Sequence, residues 1–95
     1  MVKVIAKNHV KVNKVKEVLE LAEELVHLAV KENGCIKYEM YQDENDENIL
    51  TMIEEWQNKE VLKAHMASEH FQRIVPEMNK LMEKQGDVNI YKKVI

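Results

Sequence analysis

Residues 52–71 of the chain read MIEEWQNKEVLKAHMASEHF, and this stretch decides how the rest of the sequence is interpreted. It contains the only tryptophan, the only phenylalanine and two of the four histidines. The alternation that ends at Trp56 is typical of a strand, Asn58 is a typical helix N-cap, and Ser68 opens a second helix. The stretch therefore predicts a strand followed by two helices, with its polar side chains close to their junctions.

Periodicity places three polar side chains of this stretch on the apolar side of the fold. Glu54 and Trp56 share a face with the aliphatic residues of their strand, and His65 lies on the apolar face of the following helix. A carboxylate that is buried without a partner is expensive, so Glu54 requires one. A single histidine on an apolar helix face is more often a hydrogen-bonded core residue than a ligand, and both interpretations stay open here.

Upstream of the stretch, the chain begins with a strand and an amphipathic helix. Residues 2–12 alternate strictly, and Asn8 stands on their apolar face. An amide without a partner costs about 1–3 kcal/mol, so Asn8 either bonds a neighbouring backbone group or points into a ligand cavity. Asn13 is the predicted N-cap of the helix, and Gly34 is its predicted left-handed end.

A β-hairpin and a last strand complete the pattern. Residues 35–42 and 49–56 alternate on either side of an acidic turn. The helix opened by Ser68 is expected to be kinked or divided at Pro76 and to end at Gly86, before a strand over residues 88–95. The order predicts a ferredoxin-like βαββαβ domain of the α+β class over residues 1–95, with both helical layers on one face of a four-stranded antiparallel sheet.

The other face of this sheet is unusually apolar for a monomer. A patch of this size usually marks an interface, so we expect a homodimer whose two sheets pack face to face. The large side chains assigned to the open face are Ile5, Cys35, Tyr41, Ile49, Ile53, Tyr91 and Ile95.

Composition excludes several classes of partner. The chain has 95 residues and a net charge of −3, and 13 of its 14 basic residues are lysines spread along the sequence, so we expect no nucleic acid partner. Cys35 is the only cysteine, which rules out an intrachain disulfide and fits a reducing compartment. No segment has the apolar run of a signal peptide or a membrane span, so we expect no membrane association and a cytoplasmic location.

The motifs together resemble the antibiotic biosynthesis monooxygenase (ABM) domain family over nearly the whole chain. The resemblance rests on Gly34-Cys35 followed by Tyr38, on the E-x-W strand end at residues 54–56, and on A-H-x-x-S-x-H-F at residues 64–71. It implies a dimeric α+β barrel with a pocket between sheet and helices. It also implies oxygenation of electron-rich phenols or quinols without flavin, haem or metal, because the substrate anion itself donates electrons to dioxygen.

The resemblance also implies roles for individual residues. Asn8 is expected to hydrogen-bond the substrate oxygen, Trp56 to stack on the substrate ring, and His65 to accept a proton, a task suited to imidazole near neutral pH. These three are the predicted catalytic residues. Glu54 is expected to orient His65 or a water molecule, and the predicted substrate-binding residues are Tyr38, Glu54, His70 and Phe71.

Three other functions remain open. The domain could be a non-catalytic module that binds small ligands or serves a stress response. Relatives that degrade haem require an axial histidine at about the position of Val75, and relatives that isomerise sugar phosphates are supported here only by Arg73. No metal site is expected, because His65 and His70 stand five positions apart across a helix break rather than four apart on one helix face.

Overall fold

Seven elements follow one another in the computed structural model, which describes residues 1–95. They are β1 (Val2–Val10), α1 (Val15–Ala29), β2 (Cys35–Gln42), β3 (Ile49–Trp56), α2 (Lys59–Met66), α3 (Glu69–Asn79) and β4 (Met82–Lys92). The strands form one antiparallel sheet in the order β2-β3-β1-β4. This arrangement confirms the predicted ferredoxin-like α+β class.

The core lies between one face of the sheet and the three helices. The inward face of β3 consists of Leu50, Met52, Glu54 and Trp56, all buried, which confirms the predicted register of this strand. Alternation with a period of two sends these side chains to the same side of the sheet. The helices contribute a buried stripe to the same core: Val18, Ala22, Leu25 and Ala29 from α1, Leu62 and His65 from α2, and Ile74 and Met78 from α3.

The connection around α1 differs from the prediction at both ends. Asn13 is not an N-cap: its φ of 68° places it in the left-handed region, and Lys14 precedes the helix without a side-chain cap. Asparagine tolerates this conformation better than most residues, so it serves the turn out of β1. The helix ends at Ala29, and Gly34 is left-handed as predicted, with φ 84°. A Cβ on Gly34 would lie 2.7 Å from the Val61 side chain.

The C-terminal third also differs from the prediction. Pro76 lies inside α3 without dividing it, and the helix ends at Asn79 rather than at Gly86. Gly86 instead lies within β4, where a Cβ would stand 2.7 Å from the Lys7 carbonyl oxygen. The pairing of β1 with β4 shifts register beyond Lys7, and this irregularity lets β4 begin at Met82.

One residue assigned to the open sheet face lies on the other side. A register shift between Cys35 and Lys37 brings Cys35 opposite Trp56, and its thiol packs against the core. The remaining part of the open face is centred on Ile5, which lies opposite Ile53. Ile95 lies beyond the end of β4 and is fully exposed. None of the three helices is long and apolar enough to cross a membrane.

Candidate functional site

A cavity of about 220 Å³ lies between the core face of the sheet and the helices α2 and α3. Twelve of its 16 lining residues are hydrophobic, and no lysine or arginine is among them. Val88 and Ile90 of β4 are on the core face yet exposed, because they pair with Ala6 and Val4 beyond the reach of the helices. The cavity therefore opens along β4. The four remaining lining residues are polar: Asn8, Glu54, His65 and Asn79.

His65 is the most enclosed polar side chain in the cavity wall. Helix α2 starts at Asn58, whose side-chain oxygen accepts the backbone N–H of Val61 at 2.9 Å, and helical periodicity then turns His65 inward. Its side chain is only 1% exposed. The centroid of the imidazole lies 4.5 Å from that of the Trp56 ring. The corresponding centroid distances to the Tyr38 and Phe71 rings are 5.2 and 5.1 Å. Aromatic rings thus enclose the imidazole on several sides.

The carboxylate of Glu32, which is not among the predicted site residues, holds this imidazole. Glu32 Oε2 lies 2.6 Å from Nδ1 of His65 and 2.8 Å from Nε2 of His70. A carboxylate oxygen only accepts hydrogen bonds, so each of the two ring nitrogens donates one. Glu32 stands in the turn after α1, where nothing in the neighbouring sequence distinguishes it from an ordinary solvent-exposed glutamate. Its partners lie 33 and 38 positions away, so no local pattern indicated the contact.

The contact with Glu32 defines the protonation pattern of His65. Burial lowers the pKa of the His65 imidazole, while the hydrogen bond to Glu32 acts in the opposite direction. A neutral ring with its hydrogen on Nδ1 carries a lone pair on Nε2. This Nε2 is buried and has no hydrogen-bond partner. A buried acceptor left unpaired costs about 1–3 kcal/mol, so this nitrogen favours the approach of a hydrogen-bond donor.

Glu54 is a second unusual polar group in the cavity wall. Its side chain is 6% exposed, and its Oε1 accepts the indole N–H of Trp56 at 2.9 Å. No cation lies within ion-pair distance. Burial raises the pKa of Glu54, the Trp56 hydrogen bond lowers it and the charge of Glu32 raises it, and together they bring the pKa to about 7. The carboxyl group can therefore be either neutral or charged near neutral pH.

Trp56 packs against two of the residues that line the cavity. Its indole is fully buried in contact with Glu54 and His65, and it is not part of the cavity wall. The stacking of Trp56 on a substrate ring stays a prediction. His70 likewise lies outside the wall, on the far side of Glu32.

The other predicted site residues line the cavity. Asn8 is one of the lining residues, and its amide nitrogen donates to the Ala6 carbonyl oxygen at 3.3 Å. Burial raises the pKa of the Tyr38 phenol far above its usual range, which keeps this side chain neutral. Phe71 and Val75 of α3 provide apolar walls. The structure thus brings Asn8, Tyr38, Glu54, His65 and Phe71 around one space.

The chain is similar in sequence to one known protein family and to two bacterial proteins. The family model described as "Antibiotic biosynthesis monooxygenase" matches residues 1–77. An uncharacterized protein of Synechocystis, sll1783, is 32% identical over 83 residues, which are 87% of this chain and 56% of that protein. The Bacillus subtilis protein named "Putative monooxygenase YcnE" is 32% identical over 79 residues, which are 83% of each chain.

Solved structures agree with the family match. A conserved protein of Methanosarcina mazei Go1 superposes with a TM-score of 0.96 at 41% identity, covering 98% of this chain and 92% of that one. A crystal structure of an antibiotic biosynthesis monooxygenase superposes with a TM-score of 0.95 at 36% identity, covering all of both chains. The sequence and fold together show that the chain belongs to the antibiotic biosynthesis monooxygenase family.

Proposed function

We propose that the protein is a cofactor-independent monooxygenase that oxidises a small quinol or phenolic aromatic with dioxygen. The observation that carries the proposal is the free Nε2 of His65, a buried lone pair in the cavity wall whose ring is held by Glu32. A hydroxyl group of a bound phenol supplies the hydrogen-bond donor that this nitrogen lacks. Membership of the family supports a monooxygenase-like protein, and the substrate class is our inference.

The proposed reaction begins with proton transfer from the substrate hydroxyl to Nε2 of His65. The resulting imidazolium is stabilised by Glu32 at 2.6 Å, in the way that a carboxylate supports a histidine base in hydrolases. The phenolate then donates electrons to dioxygen, and a carbon–oxygen bond forms at the ring. Overall, a quinol and dioxygen yield a hydroxylated quinone and water, so the substrate supplies all the electrons for reduction of the second oxygen atom.

Other polar groups of the cavity serve binding in this proposal. Asn8 and Glu54 hydrogen-bond the substrate oxygens, and Tyr38 and Phe71 flank the ring. Trp56 acts indirectly, because its N–H holds Glu54 and its ring packs on the His65 imidazole. His70 acts by fixing the Glu32 carboxylate.

The size and charge of the cavity favour a neutral aromatic compound. Its volume of about 220 Å³ exceeds the ~150 Å³ cavity that accepts benzene in another protein and is below the ~300 Å³ typical of sites for drug-sized ligands. A one-ring or two-ring compound fits this range, whereas a tetrapyrrole is far larger. The absence of lysine and arginine from the lining gives a sugar phosphate no charged partner, and Val75 offers no axial ligand to haem.

Oxygen consumption by chelator-treated protein with a panel of quinols and polyphenols tests the proposal. We expect uptake above the uncatalysed rate with the wild type and a strong reduction in His65→Ala and Asn8→Ala. His27→Asn is the matched control, because His27 is exposed and bonded only to Lys31. Equal rates in all variants would contradict the assignment. No uptake together with ligand-induced thermal stabilisation would instead indicate the non-catalytic binding module.

A further inference from the structure

We propose that Glu32, His65 and His70 form a binding site for a divalent transition-metal ion, most favourably zinc. Glu32 Oε2, His65 Nδ1 and His70 Nε2 all lie within 4.8 Å of one another. Two imidazoles and one carboxylate make a ligand set that zinc accepts with a fourth position open to water. The three residues come from the turn after α1, from α2 and from α3, so the site exists only in the folded chain.

The charge and hydrogen bonding of the cluster suit a cation. Glu32 has no lysine or arginine partner, and its only ion-pair contacts are the two imidazoles. The two hydrogens that now bridge the ring nitrogens to Glu32 are the atoms that a metal ion would replace. Both nitrogens then present lone pairs to the ion, which is the form of histidine that binds metals.

The cluster can also adopt the required dimensions. Ligand atoms on a tetrahedral zinc ion with bonds of 2.0–2.1 Å stand about 3.3 Å apart, compared with the 2.6 and 2.8 Å that join Glu32 to the two histidines. The two contacts of Glu32 must therefore lengthen by about 0.5–0.7 Å, while the two ring nitrogens, which lie within 4.8 Å of each other, must settle at the same spacing. Glu32 and His70 can move enough for this adjustment, because the side chains of both are partly exposed. Glu32 stands in the turn after α1, and His70 stands in the first turn of α3. The same partial exposure gives the ion a path from solvent.

Metal binding would alter the cavity side of His65. A neutral imidazole that coordinates through Nδ1 carries its hydrogen on Nε2, the atom that has no partner in the structure. The group in the cavity wall thus changes from a hydrogen-bond acceptor to a donor. This consequence rests on the proposed function, in which Nε2 is the base: a bound zinc ion would inhibit oxygen uptake.

Metal binding is tested directly with Co²⁺ and Zn²⁺ on tag-free protein. We expect one equivalent of Co²⁺ to produce the visible absorption of a four-coordinate ion, and one equivalent of Zn²⁺ to displace it. Glu32→Gln and His70→Asn should each weaken binding at least about tenfold, while His27→Asn should leave it unchanged. Imidazole ¹⁵N spectra should show the shifts on Nδ1 of His65 and Nε2 of His70. Circular dichroism of each variant confirms that it is folded. If one of the two variants does not fold, the other alone can be compared with the wild type.

Two results would overturn the site: failure of Co²⁺ to give this absorption at saturating concentration, or one-equivalent binding that survives both Glu32→Gln and His70→Asn. The readout is independent of catalysis, so a protein without oxygenase activity that still binds zinc would contradict only the proposed function. Uninhibited oxygen uptake by fully zinc-loaded protein would contradict the effect on the base and leave the binding site intact.

Discussion

The contact between Glu32 and His65 connects a surface turn to the interior of the molecule. The carboxylate is partly exposed, whereas the imidazole is almost completely buried. One ring nitrogen is satisfied by Glu32, and the other is left without a partner beside an apolar cavity. A buried polar atom is normally paired, and in the proposed function a substrate hydroxyl group supplies the donor that this nitrogen lacks.

Replacing Glu32 should therefore impair the proposed base without removing it. In Glu32→Gln the side chain can still accept a hydrogen bond from His65, but it no longer carries the charge that stabilises an imidazolium. We expect the kcat/KM for quinol oxidation to fall by about 10²-fold or more. The measurement is initial oxygen uptake, with the exposed Glu20→Gln as control. A Glu32→Gln rate within twofold of wild type would exclude a role for this carboxylate in proton transfer.

Glu54 should make the stability of the protein depend on pH in an unusual direction. Burial raises its pKa from 4.5 to about 7, so the folded state holds the proton more tightly than the unfolded chain does. The stabilising effect of the tighter proton binding is complete below about pH 4.5 and is lost as the pH rises through 7. The free energy of unfolding falls by about 3 kcal/mol over this range as a result.

The Glu54→Gln variant isolates this effect, because Gln is neutral at every pH and still accepts the Trp56 N–H. We expect the variant to match the wild type near pH 4.5 and to exceed its stability by about 3 kcal/mol near pH 8. Urea unfolding at the two pH values measures the difference, and Glu20→Gln should show none. A constant difference between wild type and Glu54→Gln across this range would refute the raised pKa.

At the level of single elements, α2 carries His65 into the core. It is only eight residues long and has a weak intrinsic tendency to form, since short helices are marginal by themselves. The Asn58 cap and the packing of Leu62 and His65 hold it against the sheet. Loss of the cap should therefore affect both stability and the site.

We expect Asn58→Ala to destabilise the protein by about 1 kcal/mol, because one backbone N–H at the start of α2 loses its acceptor. The neighbouring exposed Lys59→Ala serves as control and should be close to neutral. Chemical denaturation of both variants measures the effect. An unchanged midpoint in Asn58→Ala would mean that packing alone defines the start of this helix.

At the level of the whole molecule, one face of the sheet carries the helices and the other is open. The centre of the open face is the pair of half-buried isoleucines Ile5 and Ile53, with Tyr41 and Tyr91 exposed towards the edges. Apolar patches of this kind usually pair with another surface. A homodimer through this face therefore remains our prediction. The cytoplasmic location is a separate prediction from the sequence.

The substitution Ile53→Lys tests the dimer. It places a charge at the centre of the open face, where two copies would bring like charges together, while the side chain of a monomer can still extend into solvent. We expect light scattering to give a dimer mass for the wild type and a monomer mass for the variant. Glu20→Lys on the helical side should remain dimeric. A monomeric wild type, or an Ile53→Lys dimer, would show that the sheet faces do not associate.

The sequence by itself determined the order of the elements and the direction of most side chains in β3 and α2. The alternation in β3 predicted that Glu54 is inward, the periodicity of α2 predicted the same for His65, and the caps at Asn58 and Ser68 were read correctly. These properties depend on neighbours within about four residues, which is the range over which periodicity and capping act.

Only the tertiary structure decided how these residues meet. The register shift at Cys35, the early start of β4 and the position of Trp56 away from the cavity depend on strand pairing and packing across the core. The same holds for Glu32, which reaches His65 and His70 across more than thirty residues of chain. Contacts between distant segments follow from how whole elements pack, and no local period of the sequence contains that information.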